Sequence, residues 1–289
     1  MIEPPAPRAY FSERHGRGPR ARPLTLEEIK RLIASIWTGF DRECYMQEAL
    51  GYYCVDRDGD GDGYLSPDPG AYFLRVLHRD SVWPWEQHID SWDEDTIFDM
   101  VESMHDLVAK PLEGTFHSFS NCGWHYSTFD RLSGRARYRQ EMNDVLKRWT
   151  TPYELNEQGE IILAVPEQFA PLLAAPLPAS ADPESVTQKV QSAVRRFRAR
   201  GSSMEERRVA VRDLADVLEA LRTEAKKHMT KKDEGALFDI ANNFHIRHND
   251  EAQLREYDVI WLAWIFYFYL ATIQALLHTI ERSNVTPLA

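Results

Sequence analysis

Arg247 and His248 stand side by side in the segment IANNFHIRHND, directly ahead of the most apolar stretch of the chain. A histidine can act as a general base, and an adjacent arginine can hold a phosphate or stabilise developing negative charge. Together they are the minimal equipment for metal-free RNA cleavage, in which the 2′-hydroxyl attacks its own phosphate. His245, Asn249, Asp250 and Gln253 surround the pair and could orient it. The competing reading is architectural: Arg247 caps carbonyls at a helix end, and Asn249 and Asp250 cap the next helix.

Three further groups carry chemistry. Arg195, Arg196, Arg198, Arg200, Arg207, Arg208 and Arg212 straddle the joint of two predicted helices, and guanidinium groups fit phosphate bidentately. The bland alternative is a solvated helix end, where cations suit the dipole. His117, Cys122 and His125 are zinc-ligand types, with His105, Asp106 and Asp130 within reach in sequence. Their spacing fits no tight zinc signature and the neighbourhood offers no strong fourth ligand, so a packed aromatic loop is expected. Asp58, Asp60 and Asp62, with Gly63 and Leu65, match the first half of an EF-hand loop. The twelfth position is Pro69, where a bidentate Glu is required, so a solvated surface loop is expected and any calcium would bind weakly. No cofactor is expected.

The elements that must position these groups follow from periodicity. The chain has 289 residues, 43% of them apolar and 27% charged, which is an ordinary globular composition long enough for two domains. A formal net charge of −11 argues against non-specific coating of nucleic acid. Three cysteines without a CxxC pair suit a reducing compartment, and the N-terminus has no apolar signal run, so a cytoplasmic location is expected.

The first 23 residues read as a Pro/Arg-rich arm. Residues 24–165 read as a helical domain with an acidic loop at 55–70 and a hairpin at 153–165. Thr25 with Glu28 makes a capping box for a helix or helix pair running from Leu24 to about Tyr53; Ser91 with Glu94 makes a second. Residues 114–130 read as irregular, and Arg135 to Trp149 as a polar helix. The Pro/Ala-rich stretch 166–181 reads as a linker. Residues 182–283 read as four helices with short joints: one from Asp182-Pro183 to Gly201, one from a Ser203–Glu206 capping box to about Met229, one over about 233–247, and one over about 257–280. Val259 to Leu277 is long enough to span a bilayer. Its central Tyr267 and Tyr269, and the interruptions at Gln274 and His278, favour the buried core helix of a bundle, with no membrane expected. The fold class is therefore mainly α, a helical domain with a small hairpin followed by an antiparallel four-helix bundle.

The opening FSER-x-G (Phe11 to Gly16) resembles the N-terminal domain of bacterial abortive-infection proteins of the AbiJ type. The second half, with Arg247 and His248, resembles the helical bundles of the HEPN (higher eukaryotes and prokaryotes nucleotide-binding) superfamily, and the segments IANNF-x-IRHN and IWL-x-W-x-FYFYLATI are similar to uncharacterised bacterial proteins. The resemblance implies a phage-defence or toxin-type effector acting on RNA, with Arg247 and His248 at the site, and a homodimer; under a non-catalytic reading the N-terminal domain supplies a surface for a protein partner. One departure is specific. The distal histidine of the motif belongs at 252–254, where this chain has Ala252, Gln253 and Leu254. Either His245 or His248 stands in for it, or the bundle is a non-catalytic regulatory or interaction module.

Overall fold

A computed structural model describes residues 10–16, 22–55, 59–177, 183–228, 230, 232, 235 and 259–285. The chain is mainly helical with small antiparallel hairpins and divides into two compact units, 1–161 and 162–289.

The first unit is built on three helices, α1 (Leu26–Arg42), α3 (Glu94–Leu107) and α4 (Arg131–Leu146), with α2 (Pro69–Leu77) beside them. α1 starts at the expected capping box: the Thr25 hydroxyl accepts from the Glu28 amide while the Glu28 carboxylate accepts from the Thr25 amide. Its Ile29, Ile33, Trp37 and Phe40 recur every three or four residues and are fully buried. α3 is capped by Asp93, not by Ser91. The Asp93 carboxylate accepts from the Thr96 amide at 2.8 Å, while Ser91 closes a short 3-10 turn and donates to the His88 carbonyl. α4 starts at Arg131, four residues before the polar pattern suggests, because Asp130 accepts from the Ser133 amide.

A polar link runs through this core. Trp37 Nε1 donates to the Tyr138 hydroxyl at 2.9 Å, and that hydroxyl donates to the Val101 carbonyl at 3.1 Å. One side-chain oxygen thus joins α1, α3 and α4 and leaves neither buried donor unpaired.

Strand structure is richer than the single expected hairpin. β1 (Tyr52–Cys54) pairs with β2 (Gly59–Gly61), β3 (Lys110–Pro111) with β6 (Phe129–Asp130), β4 (Gly114–His117) with β5 (Gly123–Tyr126), and β7 (Tyr153–Leu155) with β8 (Ile161–Leu163). Helix therefore does not continue to Tyr53. It stops at Arg42, resumes as a single turn over Gln47–Leu50, and ends at Gly51, whose φ of +82° favours glycine and sends the chain into β1. Within the acidic stretch Asp60 is paired to Tyr53 across the β1–β2 ladder and Asp62 is exposed. Asp68 caps α2 through the Ala71 amide, with Pro69 at the first helical position. Asp58 lies outside the described residues.

The second unit holds α5 (Pro183–Arg198), α6 (Met204–Ala220), α7 (Arg222–His228) and α8 (Val259–Val285). Ser203 and Glu206 form the expected capping box of α6. α8 buries Ile265, Phe266, Tyr269, Ile273 and Leu277 completely or nearly so against α5 and α6, with Phe197 stacked on Phe266 at 4.0 Å. Its opposite side exposes Trp261 and Trp264. By length and composition Trp261–Arg282 could cross a membrane, yet the inward half of the helix is a protein core. The stretch expected as a linker contributes to this unit: a short helix over Ala170–Ala174 follows a 3-10 turn, and Phe169, Leu172 and Leu173 pack on the core. The expected third helix, 233–247, lies outside the described residues, so the described part shows three long helices of the four.

His105 is a buried titratable group of α3. Its Nε2 accepts from the Arg139 guanidinium at 3.2 Å and its Nδ1 faces the Asp106 carboxylate at 3.6 Å. Burial is the main cause that lowers its pKa from 6.5 to about 4, with the Arg135 charge acting in the same direction. The folded pKa lies below the unfolded one, so the unfolded state binds more protons once pH falls below about 6.5. Stability contributed by the neutral ring is then present above that pH and lost as pH falls towards about 4, by on the order of 2–3 kcal/mol. In urea titrations at pH 7 and pH 4.5, His105→Gln should lose less stability on acidification than the wild type.

Candidate metal centre

β4 and β5 project as a hairpin from the core, and their base is fixed at both ends. The β3–β6 ladder, with Lys110 opposite Asp130 and Pro111 opposite Phe129, joins the end of α3 to the start of α4. Beyond it, Thr115 lies opposite His125, Phe116 opposite Trp124 and His117 opposite Gly123. Directly opposite residues share a face, and neighbours along a strand alternate. Thr115, His117, Gly123 and His125 therefore occupy one face, and Phe116, Trp124 and Tyr126 the other.

The aromatic face is a continuous strip. Phe116 meets Trp124 edge-on at 5.5 Å and Trp124 stacks on Tyr126 at 5.5 Å. The outer edge of β5 is paired by a side chain. Gln47 Nε2 donates to the Trp124 carbonyl at 2.8 Å, and Gln47 Oε1 accepts from the Tyr126 amide at 2.7 Å. That amide imitates a neighbouring strand and ties the hairpin to the short helix that precedes β1.

On the histidine face, three segments converge. Cys54 is the last residue of β1. His117 ends β4. Cys122 follows the 3-10 turn Phe119–Asn121, and His125 sits in β5. The donor atoms of Cys54, His117, Cys122 and His125 all lie within 4.8 Å of one another, and Cys54 Sγ is 3.7 Å from His117 Nδ1. A zinc tetrahedron with Zn–S near 2.3 Å and Zn–N near 2.0–2.1 Å has edges of about 3.3–3.8 Å. The observed sulfur–nitrogen separation falls inside that range, and the set as a whole needs to tighten by about an ångström at its widest.

The chemistry of the donors narrows the ion. Two thiolates and two imidazoles in a tetrahedral arrangement select Zn(II) or iron over calcium or magnesium, which take oxygen ligands. Four protein donors leave no open position, as in structural rather than catalytic zinc sites. Cys54 is buried and the other three are half-buried, so the centre sits beneath the surface at the junction of two hairpins.

No protein-family model, curated protein or solved structure matches this chain.

A second layer orients the ligands. Tyr52, two residues before Cys54 and on the same side of β1, stacks on the His125 ring at 4.1 Å and 18°. It fits because its partner across the ladder is Gly61: a Cβ there would lie 2.5 Å from the Tyr52 ring. His125 Nε2 is shielded from solvent.

The remaining sequence candidates are placed elsewhere. His105 is buried beside Arg139, and Asp130 caps α4, so neither joins the centre. The arginines of the second unit are largely engaged within it. Arg196 pairs with Asp213, Arg198 donates twice to the Leu163 carbonyl, and Arg208 and Arg212 both reach Glu205 at 3.5 and 3.2 Å. Arg207 and Arg200 are half-buried and Arg195 is exposed. Arg247, His248, His245, Asn249, Asp250 and Gln253 lie outside the described residues.

Cys54 is the site residue that sequence reasoning missed. It sits 63 positions before His117 and inside a stretch that looks helical. The period-2 alternation of His117 and His125 with Phe116, Trp124 and Tyr126 was the available signal for the other half of the site.

Gly61→Ala should push Tyr52 off His125 while leaving all four donors in place. Outer partners of metal ligands typically set affinity by 10–100-fold, so competition with a chromogenic chelator should show zinc held roughly tenfold more weakly.

Proposed function

We propose that the first unit binds one Zn(II) ion through Cys54, His117, Cys122 and His125, and that the ion's role is architectural. The observation that carries this reading is the convergence of two thiols and two imidazoles, from three separate segments, to within 4.8 Å. Bound there, the ion would neutralise the two thiolates and fasten the β1–β2 hairpin to the β4–β5 hairpin. This reading departs from the expectation of no cofactor, and its support is Cys54 as a fourth donor beside His117, Cys122 and His125. Elemental analysis of protein purified without added metal should give one zinc per chain, falling to background in Cys54→Ala. Zinc saturated to about 100 times its Kd would add roughly 2.7 kcal/mol to the stability of the folded state, so a strong chelator should lower Tm measurably. A metal-free wild type, or a Cys54→Ala variant that keeps its zinc, would overturn the proposal.

A second reading concerns the second unit: an RNA-directed defence effector that cleaves or binds RNA at Arg247 and His248. Its support is the IRHN segment and the placement of α8 as the core helix that follows it, packed on α5 and α6 as a bundle site requires. The rival is a non-catalytic regulatory or interaction role, favoured by Gln253 in place of the distal histidine. The described arginines lend this reading limited help, since Arg196, Arg198, Arg208 and Arg212 hold intramolecular partners. Incubation with total RNA or tRNA decides it. Cleavage should be lost in the double variant Arg247→Ala, His248→Ala while its zinc content stays at the wild-type level. Equal cleavage by both proteins, or none by either, would rule out catalysis by this pair.

A further inference from the structure

The two cysteines of the metal centre differ in accessibility. Cys54 is 3% exposed and locked in a three-residue ladder, whereas Cys122 is half-buried and sits on the turn between β4 and β5. That turn holds Ser120 at φ +50° and Gly123 at φ +82°, and a Cβ added at Gly123 would meet nothing within 4 Å. The backbone beside Cys122 therefore borders open space. Both sulfurs nevertheless belong to the same donor cluster, within 4.8 Å of each other.

We propose that Cys122 is a peroxide-sensitive modification site, oxidised to a Cys54–Cys122 disulfide with release of the bound Zn(II). This rests on the zinc reading above and adds a means of regulating that centre. A zinc-bound thiolate needs no deprotonation to act as a nucleophile. Cys122 sulfur attacks one oxygen of hydrogen peroxide: an S–O bond forms, the O–O bond breaks, and hydroxide leaves. Cys54 sulfur then attacks the sulfenic sulfur: the S–S bond forms, the S–O bond breaks, and a second hydroxide leaves. Two electrons pass from the two sulfurs to the peroxide. A disulfide needs about 2.05 Å between sulfurs, so they must close by under roughly 3 Å, a movement within reach of a turn bordered by open space. With both thiolates consumed, His117 and His125 alone remain to hold the ion, and it dissociates. The disulfide keeps Cys54 joined to the turn but frees the two histidines on β4 and β5.

The third cysteine is the internal control. Cys44 is half-buried, and burial together with the Asp41 carboxylate raises its thiol pKa, so it reacts slowly. The experiment uses the intact chain as purified, with its zinc content measured first. Hydrogen peroxide is added beside a colorimetric zinc chelator, with thiols counted and peptides mapped by mass spectrometry. The expected result is one zinc released per chain, two of three thiols lost, and a Cys54–Cys122 crosslink that a dithiol reductant plus zinc reverses. Cys44→Ser should release zinc at the wild-type rate. Zinc that survives peroxide while Cys44 is oxidised overturns this inference and leaves the zinc centre standing. Release accompanied by Cys122 sulfinate, with Cys54 still a thiol, also overturns it. Protein without zinc before peroxide is added overturns the reading on which it rests.

Discussion

The register of β4 against β5 is the constraint on which the first unit's site depends. A strand has period 2, so one antiparallel register places His117 and His125 on a common face, and a slip of β4 by one residue would put Phe116 beside His125 and turn His117 to the other face. Two features hold that register. The β3–β6 ladder fixes the hairpin's base between α3 and α4, and the Gln47 carboxamide occupies the free edge of β5. Both are anchored in the helical core, where the Tyr138 hydroxyl fixes the three main helices relative to one another. A buried polar link with every donor and acceptor satisfied specifies one arrangement rather than several. The four-donor cluster thus takes its arrangement from the core that anchors the hairpin.

The hairpin also separates two tasks by face. One side presents nitrogen donors to Cys54 and Cys122, and the other carries the stacked strip of Phe116, Trp124 and Tyr126. Small hairpins are marginal by themselves. This one carries aromatic stacking on one face and a four-donor cluster on the other.

The second unit shows how a charge pattern changes meaning in three dimensions. Seven arginines around one helix joint suggest a phosphate cradle. In the folded unit, Arg196 serves Asp213, Arg198 serves the Leu163 carbonyl, and Arg208 and Arg212 share Glu205. Guanidinium groups with internal partners stiffen a joint, and they meet a ligand only after giving those partners up.

Much of this architecture was legible in the sequence because the forces involved are local. A capping box acts between residue i and residue i+3, so Thr25–Glu28 and Ser203–Glu206 could be read directly; Ser91–Glu94 failed because Asp93 stood one turn position better placed. The buried stripe of α1 and the apolar face of α8 follow from helical period in the same way. Sequence alone also picked His117, Cys122 and His125 as metal-ligand types. It could not complete the set, since Cys54 lies 63 residues away and meets His117 only after α3 and its ladder return the chain to β1. Donor chemistry is a property of the residue and is visible at once. Coordination is a property of distance, and only the tertiary structure brings those four atoms together.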